Sequence, residues 1–189
     1  MDWRIGFMIG GKKTKLLTII LLLFCLFLSS CSQEYRSTKE EDYVVFLGEV
    51  LDAELYMPKT EDLGNFTSFL STRKTPRDPF FDTTDAIALI AQYDEEQYAS
   101  EKENVLAKFQ FIDTGGSDVR DVEAAVEGFC FKIVNDSEFY RGEDLAPEQL
   151  LIIGFDESNY KIAYLYHWDH AIDYIKNLDA FIRDHYLLE

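Results

Sequence analysis

The segment His167-Trp168-Asp169-His170-Ala171-Ile172-Asp173 packs two imidazoles and two carboxylates into seven residues. If a helix begins there, His170 and Asp173 stand three apart on one face, with His167 at the end of the strand-like run before it. Imidazole and carboxylate are ligands for zinc and other divalent ions, and a closed site needs three or four of them. The spacing follows no common zinc signature. Asp169 also fits a helix N-cap, and Asp173 complements the positive end of the helix dipole. His167, His170 and Asp173 are thus metal candidates with a competing structural role, and no cofactor is expected. Immediately upstream, Tyr160, Ile162, Tyr164, Tyr166 and Trp168 alternate with Lys161, Ala163, Leu165 and His167, so one face of a strand is almost wholly aromatic. Aromatic platforms bind sugars, peptides and cations. More often such a stripe is core, and the expectation is that it lies beneath an amphipathic C-terminal helix, Asp169–Tyr186, whose stripe runs from Ile172 to Ile182.

A second candidate is Asp113. Phe111-Ile112-Asp113-Thr114-Gly115 resembles the active-site turn of the aspartic proteases, and Leu151-Ile152-Ile153-Gly154 echoes the downstream motif of their single-lobe, dimeric members. The resemblance implies Asp113 sharing a proton with an equivalent aspartate from another copy. The chain departs from that pattern: its Asp-Thr-Gly follows a helix-patterned segment, and Asp-Thr-Gly-Gly-Ser is also ordinary turn composition. Cys130 lies in the apolar run Gly128–Val134, with only Lys132 nearby to favour a thiolate, and reads as a buried, inert thiol. Arg73, Lys74 and Arg77 offer an anion site or a solvated loop. No glycine-rich phosphate loop, Ser-x-x-Lys, nucleophile elbow or His-Glu-x-x-His occurs.

The elements that must position these residues follow from periodicity. Val44, Leu47, Leu51 and Leu55 have helical spacing over Tyr43–Met57, closed by Pro58. Residues 58–79 hold three of the four prolines and read as loop with an edge strand near Phe66–Thr72. Ala86–Tyr93 reads as a buried strand. Asp94 then caps a helix running to about Phe109, with Tyr98, Val105, Leu106 and Phe109 on one side. Val119–Glu127 is a short helical or extended piece. Phe129–Val134 is a strand, and Leu150–Phe155 and Tyr160–His167 form a hairpin. This order predicts a single α+β domain: a two-layer sandwich, its sheet mostly antiparallel with helices on one face.

The first 30 residues stand apart. Arg4, Lys12, Lys13 and Lys15 precede an uninterrupted apolar stretch, Leu16–Leu28, and the small residues Ser29 and Ser30, which are the three parts of a secretory signal. Met8 is an alternative start. The apolar stretch is too short to span a ~30 Å hydrocarbon core comfortably. Leu28-Ser29-Ser30-Cys31 resembles the lipobox of bacterial lipoproteins. The resemblance implies diacylglyceryl on the Cys31 sulfur, cleavage before it, and a membrane partner held through acyl chains. It covers the leader only.

The expected division is therefore a signal at 1–30, a lipidated Cys31 and flexible tether at 31–42, and the α+β domain at 43–189. Removing four basic residues and one acid, Asp2, from the totals of 18 and 35 leaves 14 against 34, a net charge of −20. Such a balance excludes a nucleic-acid partner and makes anionic lipid heads repel the domain. Cys130 would be the one thiol left, so no internal disulfide can form and the core alone must hold the fold. The expected function is a membrane-anchored, extracytoplasmic, non-enzymatic domain that binds a protein or peptide or assists an envelope assembly. Tyr160, Tyr164, Tyr166 and Trp168 are its candidate binding residues. The alternative is a hydrolase or metal-dependent enzyme using Asp113 or His167 and His170.

Overall fold

A computed structural model of the protein describes residues 33–63, 65–75, 83–112, 123–134, 149–169 and 177–186. These form β1 (Gln33–Ser37), α1 (Glu40–Glu49), α2 (Ala53–Tyr56), β2 (Asn65–Thr75), β3 (Thr84–Gln92), α3 (Glu95–Lys108), β4 (Glu123–Val126), β5 (Phe129–Ile133), β6 (Gln149–Asp156), β7 (Lys161–Trp168) and α4 (Leu178–Tyr186). One seven-stranded sheet runs β1-β2-β3-β7-β6-β5-β4, and every neighbouring pair is antiparallel. Two up-and-down runs, β1–β3 and β4–β7, meet where β7 closes against β3. The class is α+β, as the order of elements predicts.

The period-2 alternation of the central strands divides the core into two sheet faces. Ile87, Leu89, Leu151, Ile153, Ile162, Tyr164 and Tyr166 point to the face covered by α1, α2 and α3, where Tyr43, Phe46, Leu47, Val50, Tyr56, Tyr98 and Val105 meet them. Ala86, Ala88, Leu150, Ile152, Ala163 and Leu165 point the other way, against Leu178, Ile182 and Tyr186 of α4. The expectation that all helices share one face therefore holds for α1–α3, while α4 covers part of the opposite face. The aromatic stripe of β7 consequently lies beneath the N-terminal helices and not, as expected, beneath the C-terminal one. The reason is in β7 itself: Ile-Ala-Tyr-Leu-Tyr is apolar on both faces, which demands cover on both.

Two further expectations are corrected. Of the tether expected over 31–42, residues 33–42 are not free, because residues 33–37 pair in register with Ser71–Thr75 of β2 and α1 starts at Glu40. β2 therefore lies inside the sheet and is not an edge strand. The helix expected over Tyr43–Met57 breaks after Glu49, with Asp52 in the left-handed region at φ 58°, a conformation that short polar side chains tolerate. The buried stripe is Tyr43, Phe46, Leu47, Val50, whereas Val44, Leu51 and Leu55 are half or more exposed. Aromatic residues one position out of phase with the aliphatic series set the helix rotation, since they bury the larger area.

Three tyrosine hydroxyls fasten the helical layer. Tyr43 donates to the Pro58 carbonyl at 2.7 Å, Tyr166 to the Leu51 carbonyl at 2.6 Å, and Tyr164 to Glu101 Oε1 at 3.1 Å. Burial raises the pKa of all three, so they stay neutral donors.

Candidate functional site

Beyond Gln92, β3 passes into α3 through Asp94, whose Oδ1 accepts from the Gln97 backbone N–H at 2.8 Å as the sequence predicts. The partner strands turn at the same height. Buried Asp156 accepts from the backbone N–H groups of Ser158 and Asn159 at 3.0 and 3.1 Å and from Asn159 Nδ2 at 2.7 Å, which folds the hairpin. Tyr160 closes this turn at φ 54°, and its carbonyl accepts from the Tyr93 N–H at 3.0 Å. The start of α3 and the β6–β7 turn are thus locked side by side.

Between them runs an open groove of about 420 Å³ lined by Glu95, Tyr98, Ala99, Lys102, Glu103, Leu106, Glu157 and Tyr160. The partly buried Tyr160 ring forms its aromatic wall, backed by the Tyr98 ring, which is only 4 % exposed, with centroids 5.8 Å apart and planes at 54°. Lys102 pairs with Glu157 and lies over the rings of Phe155 and Tyr98 at 5.6 and 6.0 Å. Three carboxylates therefore face one ammonium. Glu95 and Glu103 form no ion pair among the described residues, and Leu106 is 50 % exposed. Burial, then the charges of Glu157 and Asp156, push the Tyr98 phenol up to about 12. Its ring stays neutral and electron-rich. Aromatic faces flanked by uncompensated carboxylates attract ammonium and guanidinium groups, and Lys102 already makes such a contact from within the chain.

The residues singled out from the sequence disperse. Cys31, Asp113, His170 and Asp173 lie outside the described residues. His167 is 2 % exposed and points away from the groove, to the α4 face, with Phe181 and His185 edge-on at 5.0 and 4.7 Å. Among the described residues, no group of three or more His, Cys, Asp or Glu side chains could hold a metal ion. Tyr164 and Tyr166 are buried and committed to the helical layer, so neither offers a platform. Trp168 packs partly buried at the opposite end of β7. Only Tyr160 of that stripe reaches the groove.

Cys130 corrects another expectation: it is exposed. The strand forms, but Phe129, Phe131 and Ile133 take its buried side, and alternation turns Cys130 and Lys132 outward. Arg73 is no solvated loop residue either. Its Nε donates to Asp85 Oδ1 at 2.7 Å, its Nη1 to Glu49 at 2.9 Å, and it stacks over Phe46 at 4.8 Å.

Tyr98, Val105 and Phe109 are buried as the helical spacing predicts, and the groove escapes the sequence reading because Leu106, 50 % exposed, passes for part of the same stripe. The available signal is the run of acids on α3 beside a hairpin turn that is itself acidic. Comparison with known protein families, curated proteins and solved structures gives no significant match.

Proposed function

We propose that the chain is a membrane-anchored, extracytoplasmic binding domain that takes a basic peptide segment of a partner protein in the groove between α3 and the β6–β7 turn. The observation that carries this reading is the Tyr160 ring, backed by buried Tyr98, with the uncompensated carboxylates Glu95 and Glu103 beside exposed Leu106. A ligand that offers lysine or arginine next to an apolar side chain matches both halves of that surface. The chain's acidity, −17 overall, would also steer such a partner toward it. Cys31 in its Leu-Ser-Ser-Cys context would supply the anchor.

The test is titration with short peptides by calorimetry at low and moderate salt. A peptide alternating lysine and leucine should bind, and its charge-reversed counterpart, with glutamate for lysine, should not. Glu95→Lys together with Glu103→Lys should weaken binding at least tenfold while costing the fold only about 1 kcal/mol, since both groups are exposed and only Glu95 lies in the first turn of α3. Equal binding by the wild-type and doubly substituted chains would reject the groove as the site.

A further inference from the structure

We infer that the domain stands on the bilayer on the sheet end that carries Gln33, Trp168 and the α1–α2 turn, which holds the groove at the membrane-distal end. This rests on the Cys31 anchor proposed above and adds an orientation to it.

Only Ser32 separates Cys31 from Gln33. A residue spans at most ~3.6 Å, so Gln33 lies within about 7 Å of the lipid-bearing residue. Because β1 is paired along its length with β2, that short reach fixes a sheet end and not a loose arm. The row at that height is continuous: Tyr35 pairs with Arg73, Arg73 with Asp85, Asp85 with Trp168 and Trp168 with Gln149.

The α1–α2 turn is fastened to the same row, through Glu49 on Arg73 at 2.9 Å and Asp52 on Gln149 at 3.2 Å. It carries Leu51 and Leu55, 56 % and 60 % exposed, which the core does not use. Arg36, Arg73 and Lys74 stand at this end among the acids Glu34, Glu49, Asp52, Glu54 and Asp85, with Arg73 paired to Glu49 and Asp85, so a zwitterionic lipid surface suits this end better than an anionic one. Leucines on the same end of the sheet as the lipid anchor, three to four strands across from it, find the cover they lack in the acyl-headgroup boundary.

The groove is at the other end. From Trp168 back to Lys161, β7 runs seven residues, or ~24 Å at ~3.4 Å per residue. Glu157 and Tyr160 lie in the turn next to Lys161, so a partner meets the groove above the bilayer surface.

The test uses the lipidated chain in phosphatidylcholine vesicles that contain a headgroup-nitroxide lipid. One thiol-reactive fluorophore is attached to exposed Cys130, which pairs with Phe155 near the far end. In a second chain, Cys130→Ser with Leu55→Cys, it is attached at position 55, and Leu51→Cys repeats the measurement. Quenching at 55 and 51 should exceed that at 130 several-fold. Flotation with the vesicles is scored first. A chain that does not float contradicts the anchor, and the orientation with it. A chain that floats with equal or reversed quenching contradicts the orientation alone.

Discussion

The His167 ring meets the His185 ring edge-on, with centroids 4.7 Å apart, and His167 Nδ1 has no hydrogen-bond partner among the described residues. Burial first, and the neighbouring His185 second, hold the His167 pKa down at about 3. The folded protein therefore keeps His167 neutral, while the unfolded chain protonates it near its ordinary value of about 6.5.

The unfolded state thus binds the extra proton between those values, and stability must fall as pH falls. This group's contribution is complete above about pH 6.5 and is lost progressively toward pH 3, with a limiting slope of ~1.4 kcal/mol per pH unit. Urea unfolding of the wild type and of His167→Leu between pH 7.5 and 4.5 should show a shallower acid loss in the variant. Parallel curves would mean that His167 titrates normally in the folded state.

Gly154 makes a sharper packing test. A Cβ at that position would meet Phe131 Cε1 at 2.4 Å and Cδ1 at 2.5 Å, so the ring on β5 occupies the space that a side chain on β6 would take. Gly154→Ala should destabilise the domain by about 1–3 kcal/mol through overpacking. Adding Phe131→Leu should recover part of that loss, because the two sites are coupled. The readout is the shift of the urea midpoint at constant slope.

What the sequence reveals and conceals follows from which interactions are local. Asp94 and Gln97, three residues apart, announce the start of α3, and the hairpin around Asp156–Asn159 is equally plain. The α+β class follows from the order of such elements. β1 stays hidden because Gln-Glu-Tyr-Arg-Ser has no apolar alternation, and its partners lie more than thirty residues downstream. The rotation of α1 is misjudged because Val44, Leu51 and Leu55 keep helical spacing across the break after Glu49, where the left-handed residue is Asp52 and not a glycine. The groove is illegible for a related reason: Tyr98 and Tyr160 stand 62 residues apart and meet only once β3, β6 and β7 are in register. His167, conspicuous in sequence, is spent on packing against α4.

Anchorage at Cys31 underlies the function, the orientation and the placement of the groove, and one experiment addresses it directly. Cells expressing the full chain are fed a radiolabelled fatty acid, and the protein is recovered from the membrane fraction. The account predicts that the label enters the wild-type chain, that the processed protein begins at Cys31, and that Cys31→Ala abolishes both labelling and processing. A Cys31→Ala chain that still takes up label, or a wild-type chain that is exported and cleaved without any, would contradict it.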